Sequence, residues 1–300
     1  MDVVTGAYGY TGRHIASRLI AMGRDVVTLT NHPPDPSVAD ARIRSLPLTM
    51  DAPDALIEAF SGADTLYNTY WIRFARGNTT FEKAIEISRM LIDCAAKAGV
   101  RRIVHISVTN PSADSPLPYY RGKALVEQAL QESGVSHAVL RPNVIFGDRG
   151  ILLNNIAWFL RHLPIFAVPG DGRYKMSPIY VEDLADVAVK CGMGNDNVVI
   201  DAVGPETTEF NSLLQTIREA VDSRSLIVHV PPLFAVMGTV GLGILVRDVV
   251  LTPDEVSGLT SNLLCSQSTP VASTPVTGWV RENAGWLGKH YISELRAHYS

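Results

Sequence analysis

Cysteine is scarce, charge is sparse, and no apolar run is long enough to cross a bilayer. The three cysteines, Cys94, Cys191 and Cys265, stand far apart with no Cys-x-x-Cys pair. That argues against a disulfide framework or a zinc knuckle, and the expected setting is a reducing, cytoplasmic one. Charged residues make up 19% of the chain, for a net charge of −4 with no block of one sign. Such a balance leaves no electrostatic footprint for nucleic acid, so the expected partner is a small-molecule substrate. The most lipid-like stretch, residues 233–246, would reach about 21 Å as a helix, short of a hydrocarbon core of about 30 Å. No membrane span is expected, and this stretch is expected to be buried in the later part of the chain or to line a substrate entrance. The eight histidines show no His-Glu-x-x-His spacing, so no metal is expected and His105, set in an apolar run, reads as a core histidine. The chain opens on an apolar strand pattern, Met1-Asp2-Val3-Val4, without the basic region and apolar stretch of a secretion signal.

What is present is the composition of a globular α/β protein, 46% hydrophobic over 300 residues, enough for a sizeable core. Short β-branched runs alternate with longer segments whose apolar residues recur at three and four. Strands are expected near 2–5, 25–30, 45–49, 64–68, 102–107, 137–141 and 197–201, and helices near 10–22, 53–60, 79–98, 118–133 and 181–193. This alternation predicts an α/β fold with a doubly wound parallel sheet of the Rossmann kind. The rhythm breaks after Gly147, where an apolar helix over 151–163 leads into Pro169-Gly170-Asp171-Gly172. A dinucleotide-binding domain over 1–147 and about 176–204 is therefore expected. A smaller, helix-rich substrate domain would take about 148–175 and 205–300, with one strand at 226–230 and a capping box at Thr252-Pro253-Asp254-Glu255.

Between the first strand and the first helix lies Thr5-Gly6-Ala7-Tyr8-Gly9-Tyr10-Thr11-Gly12, followed by Arg13. Glycine there lets the chain turn tightly and the backbone approach a pyrophosphate, while the helix points its positive N-terminus at that anion. The turn predicts a nicotinamide dinucleotide seated on Gly6, Gly9 and Gly12, with Tyr8, Tyr10, Thr11 and Arg13 around it. At the end of the second strand, Thr28-Leu29-Thr30-Asn31-His32 lacks the acidic residue that an NAD site places on the ribose 2′-hydroxyl. NADP is expected, with NAD as the alternative, and Arg13, Asn31 and His32 are candidates for the 2′-phosphate.

Tyr119 and Lys123 share one helix face, a turn apart, at the start of the helix after the fifth strand. A phenol with a pKa of about 10 is a poor acid–base catalyst at neutral pH, and a neighbouring ammonium favours its ionised form. Such a tyrosine can exchange a proton with a carbonyl or alcohol while hydride moves.

With the glycine turn, Asp51, Asn68-Thr69, Tyr119 with Lys123, Arg141-Pro142-Asn143-Val144-Ile145-Phe146-Gly147 and Pro178-Ile179-Tyr180-Val181-Glu182-Asp183-Leu184-Ala185, the chain resembles the extended and atypical short-chain dehydrogenase/reductase superfamily. Its nearest likeness is to the epimerase/dehydratase-like and NmrA-like NAD(P)-binding proteins. The resemblance implies that Asp51 meets the adenine, that Asn68 and Thr69 line the cofactor, that Lys123 holds the nicotinamide ribose, and that Pro142 and Asn143 approach the nicotinamide. The superfamily's third catalytic member, a serine or threonine near the end of the fifth strand, aligns here with Val108, leaving Ser107 or Thr109 to replace it. Asn154-Asn155 fall where sugar-nucleotide epimerases contact substrate, although a solvent-facing helix would also carry asparagine. Two functions follow from the likeness: an oxidoreductase or epimerase acting on a small carbonyl or alcohol, or a non-catalytic dinucleotide binder serving as redox sensor or assembly protein.

Overall fold

The computed structural model describes residues 1–31, 40–49 and 51–298. Along the chain run β1 (Asp2–Thr5), α1 (Tyr10–Ala21), β2 (Val26–Leu29), β3 (Ile43–Leu46), α2 (Pro53–Phe60), β4 (Thr65–Asn68), α3 (Phe81–Lys97), β5 (Arg102–Ile106), α4 (Pro118–Glu132) and β6 (Ser136–Leu140). There follow β7 (Ile145–Phe146), α5 (Ile151–His162), β8 (Ile165–Pro169), β9 (Lys175–Met176), β10 (Ile179–Tyr180), α6 (Val181–Met193) and β11 (Val198–Ile200). The remainder holds β12 (Thr208–Glu209), α7 (Phe210–Ala220), β13 (Leu226–Val230), α8 (Pro232–Val246), α9 (Pro253–Thr260), α10 (Val276–Glu282) and α11 (Glu294–His298).

The chain divides into two compact units, Met1–Pro142 with Val181–Ala202, and Asn143–Tyr180 with Val203–Ser300. In the first, seven parallel strands lie in the order β11-β6-β5-β4-β1-β2-β3. Strands buried on both faces read as near-continuous apolar runs, and β1, β2, β4 and β5 are buried at every residue. Helices α2, α3 and α4 cover one face, packed with Val3, Leu66, Ile103 and Val139. On the other, α1 packs on α6, where Arg18 pairs with Glu182 at 2.8 Å and with Asp186 at 2.6 Å. This is the doubly wound α/β fold expected. Its strand order reverses between β1 and β4, and in such sheets a ligand crevice opens beyond the carboxyl ends of the strands at that switch.

Proline at the first turn starts α2 and α4, where its missing N–H has no intrahelical partner to lose. Thr80 caps α3 by accepting from the Lys83 amide at 3.3 Å. At the sheet's opposite edge the buried Arg102 donates to the carbonyls of Cys191 at 2.6 Å and Asp196 at 2.7 Å, tying β5 to the chain leading into β11.

The second unit differs from a purely helix-rich expectation. It contains three two-stranded pairings: β7 with β10, β9 with β12, and β8 with β13. Because Ile145 pairs with Ile179 and Phe146 with Tyr180, residues 143–147 and 176–180 lie in this unit rather than the first. Its core gathers Phe146, Leu153, Leu160, Leu214, Ile217 and Val280. The capping box forms as its spacing predicts, Glu255 N–H donating to Thr252 Oγ1 at 3.2 Å and Thr252 N–H to Glu255 Oε2 at 2.8 Å.

One expectation fails in this unit and another loses one of its two alternatives. Asn154 and Asn155 face neither substrate nor solvent: both are buried. Asn154 donates to the His290 carbonyl at 2.8 Å and accepts from Gly288 N–H at 3.0 Å. Asn155 does the same with the Ile292 carbonyl and amide, at 2.8 and 3.0 Å. They act as backbone mimics pinning the C-terminal segment. Helix α8, expected to be buried or to line a substrate entrance, is not buried: Ala235 is its one buried residue, because apolar composition does not distinguish a packed face from a bare one. No helix among the described residues is long and apolar enough to cross a membrane.

Candidate active site

The glycine turn is built as a pyrophosphate seat requires. Gly6 adopts φ +66°, in the left-handed region where a side chain is strained. The Gly9 amide donates to the Gly6 carbonyl at 2.8 Å, closing the turn. A Cβ on Gly12 would stand 2.1 Å from that carbonyl oxygen, so the third glycine lets α1 pack against the turn. Helix α1 carries no acidic residue in its first turn, and Gly9 supplies no side-chain cap, so its N-terminus has an anion's requirements. These residues fit a dinucleotide. Tyr8 Oη lies 2.9 Å from Ser45 Oγ, and the Arg13 guanidinium sits 5.8 Å from the centroid of the Tyr10 ring. Thr11 stands half-buried on the first turn of α1.

Other cofactor candidates are placed by hydrogen bonds of their own. Asn31 exchanges two bonds with the backbone of Leu48, at 2.8 and 2.9 Å, joining the end of β2 to the chain after β3. Asp51 is exposed just ahead of α2, and His32 lies outside the described residues. Thr69 binds back to Thr5 through both its amide, at 2.8 Å, and its hydroxyl. Pro142 accepts from the Thr109 amide at 2.9 Å. Asn143 belongs to the second unit, where its amide donates to the Leu264 carbonyl.

Strand periodicity puts Thr5, Asn68 and His105 on one face, extending the apolar rows of Val3, Leu66 and Ile103 into a buried polar row at the carboxyl ends of β1, β4 and β5. Thr5 Oγ1 donates to Asn68 Oδ1 at 3.1 Å, and Asn68 Nδ2 donates to His105 Nδ1 at 3.3 Å. Asn68 Oδ1 also accepts from the Tyr70 amide at 3.2 Å, so both ends of this side chain are held within the chain. His105 differs from a fully satisfied core histidine, since its Nε2 is buried without a hydrogen-bond partner. Burial, and then the Lys123 charge, hold its pKa well below the usual range.

Lys123 projects from α4 into the same region and is 2% exposed. Its Nζ donates at 2.6 Å to the carbonyl of Ile106, the last residue of β5. It also lies 4.6 Å from the centroid of the Trp71 ring, within cation–π range. Burial pushes the ammonium down to about 7, with the Glu127 charge opposing the shift. Tyr119, one turn earlier on α4, meets the same indole edge to face at 6.1 Å and Phe81 at 6.2 Å. Trp71 therefore touches both members of the Tyr–Lys pair. It packs so closely on α4 that a Cβ on Gly122 would come 2.8 Å from its ring.

Both candidate hydroxyls donate within the chain. Ser107 donates to Glu127, a buried carboxylate that also receives Arg141, and Thr109 donates to the Arg141 carbonyl at 3.2 Å. The two arrive there because β5 and the residues after it alternate faces, and positions 105, 107 and 109 share the side covered by α4. Trp71, Glu127 and Thr5 are the members that sequence reasoning did not single out. Glu127 had a local signal, since it follows Lys123 by one helical turn, whereas Trp71 reaches the site only through the tertiary fold.

The family model described as the NAD dependent epimerase/dehydratase family matches residues 3–197. The chain is 25% identical over 194 residues to the mitochondrial NADH dehydrogenase (ubiquinone) 1 alpha subcomplex subunit 9 of Arabidopsis thaliana, covering 62% of this chain and 48% of that protein. It thus spans about half the length of that relative. It is 26% identical over 258 residues to the 4-hydroxy-2-methyl-3-oxo-4-farnesyl-3,4-dihydroquinoline-1-oxide ketoreductase of Stigmatella aurantiaca, covering 76% of this chain and 75% of that one. Among solved structures, the Citrobacter triphenylmethane reductase complexed with NADP(H) shares the fold with a TM-score of 0.76, at 18% identity, over 95% of this chain and 100% of that chain.

Proposed function

This chain belongs to the NAD dependent epimerase/dehydratase family, and from that premise we propose that it is an NADP-dependent oxidoreductase acting on a small carbonyl or alcohol. The nicotinamide ring, when bound, gives or takes the hydride. Tyr119 exchanges the proton at the substrate oxygen, and Lys123 positions the ribose and favours the ionised phenol. The observation that carries this reading is the anchoring of Lys123 to the Ile106 carbonyl, one helical turn from Tyr119 and against the same indole. A lysine lowered to about 7 is tuned to respond to a ligand that brings charge. Likeness to a quinoline-oxide ketoreductase directs the substrate search first to cyclic ketones.

A second reading, dinucleotide binding without turnover in a sensor or an assembly, is favoured by one observation: Ser107 and Thr109 both spend their hydroxyls inside the chain, and Val108 stands between them. Likeness to a respiratory-chain subunit is in keeping with it.

Calorimetric titration with NADPH and NADH, followed by a quinone and ketone screen at the nicotinamide absorbance, tests the pair. The oxidoreductase reading expects tighter NADPH binding, turnover, and a Tyr119→Phe variant that loses roughly 10²–10⁴-fold in rate at unchanged cofactor affinity. Tight dinucleotide binding with no turnover across the panel would transfer the site to the second reading.

A further inference from the structure

We propose that the exposed face of α8 is a homodimer interface, across which two copies of this chain pair helix against helix. Leu233, Met237, Val240 and Ile244 recur at spacings of four, three and four along one side of the helix, with Phe234 and Leu245 beside them. All six are 61–77% exposed. The opposite side faces β8, and Ala235 is buried there. The chain just after the helix is anchored. Arg247 closes it in the left-handed region, and the Asp248 carboxylate accepts from Tyr291 Oη at 3.0 Å, Glu294 N–H at 2.8 Å and Leu295 N–H at 3.0 Å.

Area and charge favour a second copy as the occupant. The six side chains expose on the order of 700 Å², above the few hundred typical of a monomer's bare patches, and form the apolar centre of a contact that neighbouring residues would complete. A two-fold contact sets a patch against itself, so any net charge on it would repel its own copy. From Pro231 to Val246 no residue carries charge. The spacing is that of a helix seam whose large side chains enter holes on the facing helix. Gly238 and Gly241 leave open space beside the stripe, with no atom within 4 Å of where a Cβ would stand, and so provide such holes. A lipid surface fits less well. Interfacial helices border their apolar face with several lysines, arginines or tryptophans, and within residues 231–246 none of these occurs, Arg247 at the helix end being the one adjoining cation.

Sedimentation velocity from about 1 to 100 μM tests the proposal, using the full chain with and without NADPH. A dimer is expected. Met237→Glu and Ile244→Glu, placed at exposed positions that the fold does not need, should each weaken it by roughly 10²-fold or more. Met22→Glu, at an exposed apolar position in the first unit, should leave it intact. Val240→Ala and Leu245→Ala provide uncharged variants that weaken it less. Far-UV circular dichroism spectra and NADPH affinity should match the wild type throughout, while the melting temperature of the glutamate variants should fall to that of a monomer. A wild-type monomer across this range overturns the proposal. So does a dimer that both glutamate variants leave unchanged, or a monomer that floats with phosphatidylcholine and phosphatidylserine vesicles, which would assign the face to lipid.

Discussion

The Lys123 ammonium lies 2.6 Å from the Ile106 carbonyl oxygen and 4.6 Å from the centre of the Trp71 ring, so one strand end and one aromatic plane take the place of its water shell. Neither neighbour is a full counter-charge. The cost of burial therefore shows in the lysine's protonation equilibrium, which falls to about 7.

A pH signature follows from that depressed value. Between pH 7 and the lysine's ordinary 10.5, the unfolded chain holds a proton that the folded chain has released, and stability rises with pH wherever the unfolded state binds more protons. Wild type should therefore gain stability relative to Lys123→Met as pH is raised from 7 towards 10, in the absence of dinucleotide. Urea unfolding of the two proteins at pH 6.5, 8 and 9.5 measures this, and a constant difference would place the ammonium in water.

The contact between Trp71 and α4 sets the sign of a helix substitution. Glycine inside a helix normally costs about 0.5–1 kcal/mol relative to alanine. At Gly122 the added methyl would come 2.8 Å from the indole, and overpacking of this kind costs roughly 1–3 kcal/mol. Gly122→Ala should destabilise wild type yet stabilise a Trp71→Ala background, a reversal that a double-mutant cycle by denaturant unfolding would register.

The sequence carried the first unit's elements well because each had local cause. Proline began α2 and α4, glycine shaped the turn before α1, and β-branched runs made the buried strands. In the second unit β8 escaped notice, since Ile165–Pro169 follows directly on α5 and its partner β13 lies some 60 residues later. Resemblance sets Asn154 and Asn155 at a substrate and helix periodicity sets them on a face, but neither reveals what covers that face. Trp71 escaped notice for the same reason, its value lying in a distant helix that carries a glycine where a side chain would obstruct it.

Ser107 should prove structural. Its hydroxyl is one of the donors to the buried Glu127 carboxylate, and losing a donor to a buried charge costs on the order of 1–3 kcal/mol. Ser107→Ala is expected to lower stability by that amount with NADPH affinity unchanged, read by urea unfolding and calorimetric titration. Unchanged stability with lost turnover would instead give the hydroxyl to the substrate.

Asn155 donates to and accepts from one backbone residue, Ile292, and its Oδ1 also accepts from Asn154 Nδ2 at 3.2 Å, so Asn155→Ala takes a partner from each of these buried or half-buried groups. A loss of roughly 1–3 kcal/mol is expected. Limited proteolysis should cut the variant after residue 284 well before it cuts the wild type elsewhere.

Helix α6 and strand β11 belong to the first unit but are reached only after the chain has passed through residues 143–180 of the second. On a ribosome this ordering acts as a timetable. The nascent Rossmann sheet waits, its edge at β6 open and α1 uncovered, until Ala202 emerges. The second unit then lacks about a hundred residues, which at 5–20 residues per second is roughly 5–20 s of further synthesis. During that interval Phe146, Leu153 and Leu160 are already made and their partners on α7 and α10 are not. The newborn chain is thus most exposed to aggregation, and to chaperone capture, after its nucleotide-binding half is finished.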